Sequence, residues 1–206
     1  MPDPNPHPNC YLTAPSERFQ DSFLEAAAEF QEEGRLDSTY ADFLGYDLKR
    51  MRGHFRTFVD DLQNLSGSGR RRKSGYRDRV CWLIDGDDYI GQVSIRPELG
   101  TPYLITYGGH IGYSIRPSRR RRRYGTKILE LALEECPSIG LEQVLVTCDS
   151  DNIASRRIIE HNGGRFESAM TMAADVLRAE GRASDKGLQK LRFWIDLSAV
   201  PERKAL

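Results

Sequence analysis

The stretch from Gly109 to Thr126 constrains this chain most. Gly109-His110-Ile111-Gly112-Tyr113-Ser114-Ile115-Arg116 alternates apolar and polar residues as a half-buried strand does. Pro117, Ser118 and the arginines 119 to 123 break that alternation. An amphipathic helix follows from about Gly125 to Cys136, with Ile128, Leu129, Ala132 and Leu133 on one side and Lys127, Glu130 and Glu134 opposite. A helix N-terminus offers unpaired N–H groups and a partial positive charge, so a strand passing through a cationic bend into a helix suits a phosphate. Arg116 and Arg119 to Arg123 reinforce that attraction. A solvated basic loop and an RNA-touching patch are the competing readings of the same run.

The first third of the chain carries helical periodicity. Ser16 is placed to cap a helix from about Glu17 to Glu33, where Phe19, Phe23, Ala26, Ala27 and Phe30 make one apolar stripe and Gly34 provides a stop. A second helical pattern runs from about Tyr40 to Leu65, interrupted by Gly45 and Gly53, so that two shorter helices are the alternative to one. Ser66 to Gly69 followed by Arg70-Arg71-Arg72-Lys73 reads as a flexible basic loop. Before all of this, residues 1–9 read as a loose tail and Cys10 to Ala14 as a weak strand.

From Arg79 the texture changes to strands. Val80 to Ile84, the Asp85-Gly86-Asp87 turn and Tyr89 to Ile95 form a hairpin pattern. Gln143 to Cys148 is a β-branched run of buried-strand character, Ile153 to Glu160 a helix closed by Asn162-Gly163-Gly164, and Arg165–Ala169 with Lys190–Leu197 the last strands. Residues 172–188 are polar and read as a helical excursion or a mobile loop. The sum is a mixed α/β domain. Asp149 to Ser155 opens a helix directly after an apolar strand, at the sheet edge where ligands of open α/β folds sit.

Composition excludes several classes. Thirty Lys plus Arg against thirty Asp plus Glu give zero formal charge over 206 residues, which argues against a surface tuned to nucleic acid or to an anionic membrane. No apolar run approaches the roughly 18 residues of a membrane helix, and no signal-peptide pattern opens the chain. Cys10, Cys81, Cys136 and Cys148 lack C-x-x-C spacing, so neither a zinc site nor a dense disulfide framework is indicated. The expectation is a cytoplasmic protein with reduced thiols.

The strand–bend–helix segment resembles motif A of the GNAT superfamily of N-acetyltransferases, whose loop reads Gln/Arg-x-x-Gly-x-Gly/Ala. Arg120-Arg121-Arg122-Arg123-Tyr124-Gly125 matches it at the first and last positions. Asn152-Ile153-Ala154-Ser155, running to Glu160-His161-Asn162-Gly163-Gly164, resembles motif B. The likeness is dense from about residue 80 to 168 and returns at Phe193 to Leu197, and His110-Ile111-Gly112-Tyr113, Ile115-Arg116-Pro117, Thr147-Cys148-Asp149 and Asp151 to Ser155 together resemble a branch of predicted bacterial acetyltransferases without an assigned substrate. It implies a mostly antiparallel sheet with a parallel central pair, flanked by helices, in a single domain over residues 10–200. It also implies acetyl-coenzyme A as acetyl donor, bound between the two parallel strands. The main chain of Ile115, Arg116 and Pro117 would pair with the pantetheine arm. The loop amides from Arg120 through Arg121, Arg122, Arg123, Tyr124 and Gly125 to Thr126 would hold the diphosphate. Asn152 would hydrogen-bond the donor, with Ser155 nearby.

Two departures from the family pattern carry consequences. Arg123 stands at the motif's first glycine, where a left-handed backbone costs a non-glycine residue on the order of 1–2 kcal/mol; the expectation is that Arg123→Gly tightens donor binding. Ile159 stands where many relatives place a tyrosine that protonates the departing thiolate. A thiol of pKa about 8.5 leaves without much help, whereas an amine of pKa roughly 10.4 needs to lose a proton first. His110 and Tyr113 are the candidates for that work, with Cys148 and Ser155 near the same strand edge. Strand alternation puts His110 on the face opposite Tyr113 unless a bulge intervenes.

The reading is an acetyltransferase acting on a primary amine of a small-molecule or peptide acceptor, with the two N-terminal helices on the acceptor side, no membrane partner, and a homodimer left open. A coenzyme A sensor that has lost catalysis is the second reading, and an RNA-associating protein the third.

Overall fold

The computed structural model describes residues 7–66, 78–179 and 187–198. Seven strands are hydrogen-bonded in the order β1-β2-β3-β4-β5-β7-β6: β1 Cys10–Thr13, β2 Arg79–Asp85, β3 Asp88–Ile95, β4 Ile111–Ile115, β5 Gln143–Asp149, β6 Arg165–Thr171 and β7 Gln189–Asp196. β4 and β5 run parallel, in register at Ile111↔Val146. β2 is antiparallel to β1 and to β3, and β7 to β5 and to β6. The mixed sheet with a parallel central pair is therefore present. The chain divides into two compact units, one taking residues up to Ile95 with Tyr113–Ala132, the other Arg96–Gly112 with residues from Leu133 onward.

In the first unit, Ser16 Oγ accepts the N–H of Arg18 and opens a 3₁₀ turn, Glu17–Phe19, that leads into α1, Gln20–Glu32. The helical pattern over residues 40–65 is three pieces, α2 Ala41–Leu44, α3 Leu48–Gly53 and α4 Phe55–Ser66. Gly45 ends α2 at φ +75°, and Asp47 caps α3 by accepting the Arg50 N–H at 2.6 Å. The apolar stripes of α1 and α4 close on β2 and β3. The Phe23 ring stacks on Trp82 at 4.6 Å and lies 4.9 Å from Tyr89 and 5.4 Å from Phe58, with all four side chains fully buried.

Gly91 of β3 has a packing reason. A Cβ there would overlap the Ser114 carbonyl oxygen of β4, so only glycine lets the two backbones come this close. The approach is held where Arg116 donates its N–H to Ile90 O at 2.8 Å. α5, Tyr124–Glu135, starts one residue before its expected boundary.

The second unit has β5 at its centre, with Val144, Leu145 and Val146 fully buried. Beyond the Pro97 to Pro102 loop after β3 lies a π-helical turn, Leu104–Gly108, of sequence Leu-Ile-Thr-Tyr-Gly. α6 spans Ile153–His161. The polar segment 172–188 contains a short helix, α7 Ala174–Ala179, whose Val176 and Leu177 join Met172, Leu188 and Tyr107 in a small apolar cluster; residues 180–186 lie outside the described residues. So do Arg70–Lys73 and residues 1–6. The four cysteines are buried free thiols. Among the described residues no helix is long and apolar enough to cross a membrane.

Candidate functional site

The bend between β4 and α5 lies in the first unit. After a 3₁₀ turn at Pro117–Arg119 the backbone extends at Arg120, then turns left-handed at Arg121 (φ +61°) and again at Arg123 (φ +66°). The position that the motif gives to glycine thus keeps a glycine-type backbone although arginine occupies it. Arg120 donates its N–H to Pro117 O at 3.2 Å, and Thr126 to Arg123 O at 3.1 Å. Between them, the consecutive N–H groups of Arg121, Arg122, Arg123, Tyr124 and Gly125 have no acceptor among the described residues. The expected run of amides from Arg120 to Thr126 narrows to these five. Consecutive unpaired N–H groups on a backbone that turns left-handed at alternate residues, set at a helix start, are the makings of an anion-binding concavity.

The arginines of this segment do two different jobs. Arg116 is buried, its guanidinium bonded to Glu29 at 2.7 Å, to Glu25 at 3.0 Å, and to Ser22. Arg119 pairs with Asp88 at 2.5 Å, and Arg120 donates both terminal nitrogens to Glu33. Arg121, Arg122 and Arg123 are exposed and pair with no carboxylate among the described residues. Half of the basic run therefore fixes the bend, and half leaves its charge available. Burial alone would raise the Glu29 pKa, but the N–H and hydroxyl of Ser118 and the Arg116 guanidinium hold it below the ordinary value.

These carboxylates are what sequence reasoning missed. Glu25, Glu29 and Glu33 recur at four-residue steps, a single row along α1 and its C-cap, away from the apolar stripe. A second fastening comes from His7, whose ring stacks on Tyr124 at 3.7 Å and whose Nε2 lies 2.5 Å from Arg122 O. The Tyr124 hydroxyl donates to Asp85 at 2.7 Å. The tail expected over residues 1–9 is thus tied down at its seventh residue.

The main chain expected to receive the pantetheine already has partners. The Arg116 N–H goes to Ile90 O, Arg116 O and Pro117 O accept the N–H groups of Arg119 and Arg120, and Ile115 O accepts Arg120 Nε at 3.1 Å. The last of these partners is an exposed side chain, which a ligand can displace. Tyr113 is half-buried on β4.

In the second unit, His110 is buried and exchanges both groups with Leu145: its N–H donates to Leu145 O at 2.7 Å, and its Nδ1 accepts the Leu145 N–H at 2.9 Å. Burial, helped by the nearby Arg96 guanidinium, brings its pKa down to about 4. Burial and Asp149 push the Cys148 thiol up to about 11, so it is a neutral thiol at physiological pH. Asn152 Oδ1 caps α6 by accepting the Ser155 N–H at 3.0 Å, which brings those two residues together and leaves the Asn152 amide nitrogen as its donor. Ile159 is fully buried, so no proton carrier occupies the tyrosine position.

The Acetyltransferase (GNAT) domain family model matches residues 35–165. No curated protein matches the chain at a significant level. Among solved structures the chain is similar to Mycobacterium smegmatis RimJ in complex with CoA-disulfide, at 18% identity and TM-score 0.62 over 94% of this chain and 84% of that one. It is similar to a Salmonella typhimurium acetyl transferase that modifies the N-terminal serine of the ribosomal protein L7/L12, at 14% identity and TM-score 0.57 over 93% and 96%. The microcin C7 self immunity acetyltransferase MccE, in complex with acetyl-CoA and AMP, gives 12% identity and TM-score 0.59 over 93% and 94%. At these identities the likeness is one of fold.

Proposed function

Since the chain belongs to the GNAT acetyltransferase family and is accordingly an acyltransferase, we propose that it moves the acetyl group of acetyl-coenzyme A onto a primary amine of a small-molecule or peptide acceptor. The observation that carries this reading is the row of five unpartnered N–H groups from Arg121 to Gly125. Such a row, set at the start of α5 in a stretch with three exposed arginines, suits a diphosphate. Bound there, the donor supplies an activated thioester whose thiol leaves readily near neutral pH.

The chain's own residues do the rest. The bend amides and the charges of Arg121, Arg122 and Arg123 hold the diphosphate, and Ile115 O is the main-chain acceptor that Arg120 can yield to the pantetheine amide. Asn152, whose Oδ1 is taken by the Ser155 N–H, offers its side-chain nitrogen as a hydrogen-bond donor. His110 is too weakly basic to take a proton from an ammonium group and acts as a positioning residue at the start of β4. Tyr113 is then the side chain we assign to proton handling at the acceptor amine. Holding amine and thioester together supplies much of the acceleration, since transfer within a complex avoids the entropy of encounter.

The test is a pair of measurements on the full chain. Calorimetric titration with acetyl-coenzyme A is expected to give saturable binding. Thiol release across polyamines, aminoglycosides, amino acids and peptides is expected to respond to one amine class. Binding without release for any amine overturns transfer in favour of a sensor, and absence of binding overturns both.

A further inference from the structure

We propose that His7, Cys10 and Asp85 form a zinc site that locks the amino-terminal segment onto the donor-binding bend. Nδ1 of His7, Sγ of Cys10 and a carboxylate oxygen of Asp85 all lie within 4.8 Å of one another, and Nδ1 stands 3.8 Å from Asp85 Oδ2. Tetrahedral zinc with N, S and O ligands at its usual bond lengths of about 2.0–2.3 Å places those atoms roughly 3.3–3.5 Å apart. Closing the cluster onto a metal therefore takes small side-chain movements.

The topology explains the convergence. Cys10 on β1 and Asp85 on β2 are directly opposed in an antiparallel pair, which puts both side chains on one face. His7 precedes β1 by one turn, its carbonyl accepting the Cys10 N–H at 3.3 Å. The ligands stand 3 and 75 positions apart in the sequence, so no motif spacing reveals them.

Around the cluster the outer contacts are those a metal site uses. Nε2 of His7 lies 2.5 Å from the carbonyl of Arg122, so it must carry the proton, and in the neutral ring the lone pair is then on Nδ1, facing Asp85. Ligating histidines commonly give their other N–H to a carbonyl or carboxylate in this way. Tyr124 stacks on the imidazole and fixes its plane, and the Tyr124 hydroxyl donates to Asp85 Oδ2. One thiolate, one imidazole and one carboxylate form a mixed, borderline-soft donor set that suits zinc better than calcium or magnesium. On coordination the Cys10 thiol proton leaves to solvent as the sulfur takes the metal. The assembled charge is zero (+2 from the metal, −1 each from Cys10 and Asp85), which a half-buried site tolerates. Water completes the fourth position. This inference does not depend on acyl transfer.

Cobalt and zinc test it on the metal-free full chain. Cobalt is expected to give a thiolate-to-metal charge-transfer band at one equivalent. Zinc is expected to displace it and to raise the melting temperature. His7→Ala and Cys10→Ser should each weaken metal binding at least tenfold, whereas Cys81→Ser, another buried thiol, should leave it unchanged. His7→Ala alters a residue outside the hydrophobic core, so it decides the matter even if Cys10→Ser does not fold. Absence of the charge-transfer band in the unaltered chain overturns the site, as does a cobalt affinity that falls less than tenfold in either His7→Ala or Cys10→Ser.

Discussion

His110 Nδ1 accepts the backbone N–H of Leu145 at 2.9 Å, a bond that only the neutral ring can make. Protonation would set two donors against each other inside a buried strand pair. With a folded pKa near 4 and an unfolded value of about 6.5, the unfolded chain binds the extra proton between those limits. Stability is therefore fully present above about pH 6.5 and is lost as pH falls towards 4. The full difference is roughly 3 kcal/mol. Urea titrations at pH 7 and pH 4.5 are expected to show His110→Gln losing about 2 kcal/mol less than the unaltered chain over that interval; equal losses would refute the role.

Arg116 is the structural arginine of the bend, and its removal leaves Glu29 partly buried without its main counter-charge. Arg116→Met is expected to cost roughly 3 kcal/mol, the low end for breaking such a pair because Glu29 keeps some solvent. Adding Glu29→Gln should recover part of the loss. The carboxylate's own contribution is present above the ordinary Glu pKa and fades as pH falls below it. Chemical denaturation of both variants checks the order.

Arg123 separates folding from binding. The left-handed backbone at this position (φ +66°) strains any residue but glycine. Arg123→Gly is expected to raise stability by about 1 kcal/mol. It should weaken acetyl-coenzyme A binding less than tenfold, through the lost charge. This revises the expectation from the motif alone, that glycine tightens binding; calorimetry showing tighter binding would restore it.

Gly91→Ala puts a methyl group into the Ser114 carbonyl. The backbones of β3 and β4 must separate, with an expected cost of about 2–3 kcal/mol and faster amide exchange at Arg116, whose N–H bonds Ile90 O. An unchanged exchange rate would show that the strands adapt without parting.

Much of this architecture was legible because its signals are local. The Phe-rich stripe gave α1, Gly45 and Gly53 gave the breaks before α4, and the polar–apolar alternation with its basic bend gave β4 and α5. The π-helical turn at Leu104–Gly108 was not legible, since no short periodicity distinguishes it from a loop. The carboxylate partners of the bend escaped because the residues they hold, Arg116 and Arg120, lie 87 positions away from Glu29 and Glu33. His7 escaped for a related reason: nothing around it hints at Tyr124, which it meets only through the sheet. The candidate site's amides could be named, but which of them stay open depended on the pairing of Arg120 and Thr126.

Glu25, Glu29 and Glu33 have a final consequence for anyone moving this bend elsewhere. Arginines crowded at successive positions repel one another, and their natural tendency is to splay. The acidic row on α1 is what holds Arg116 and Arg120 in place at the two ends of the turn. A graft of residues 116–126 onto a foreign scaffold would carry the cations and leave behind their mould, so the transplant would attract polyanions indiscriminately while losing the shape that Glu29 and Glu33 impose.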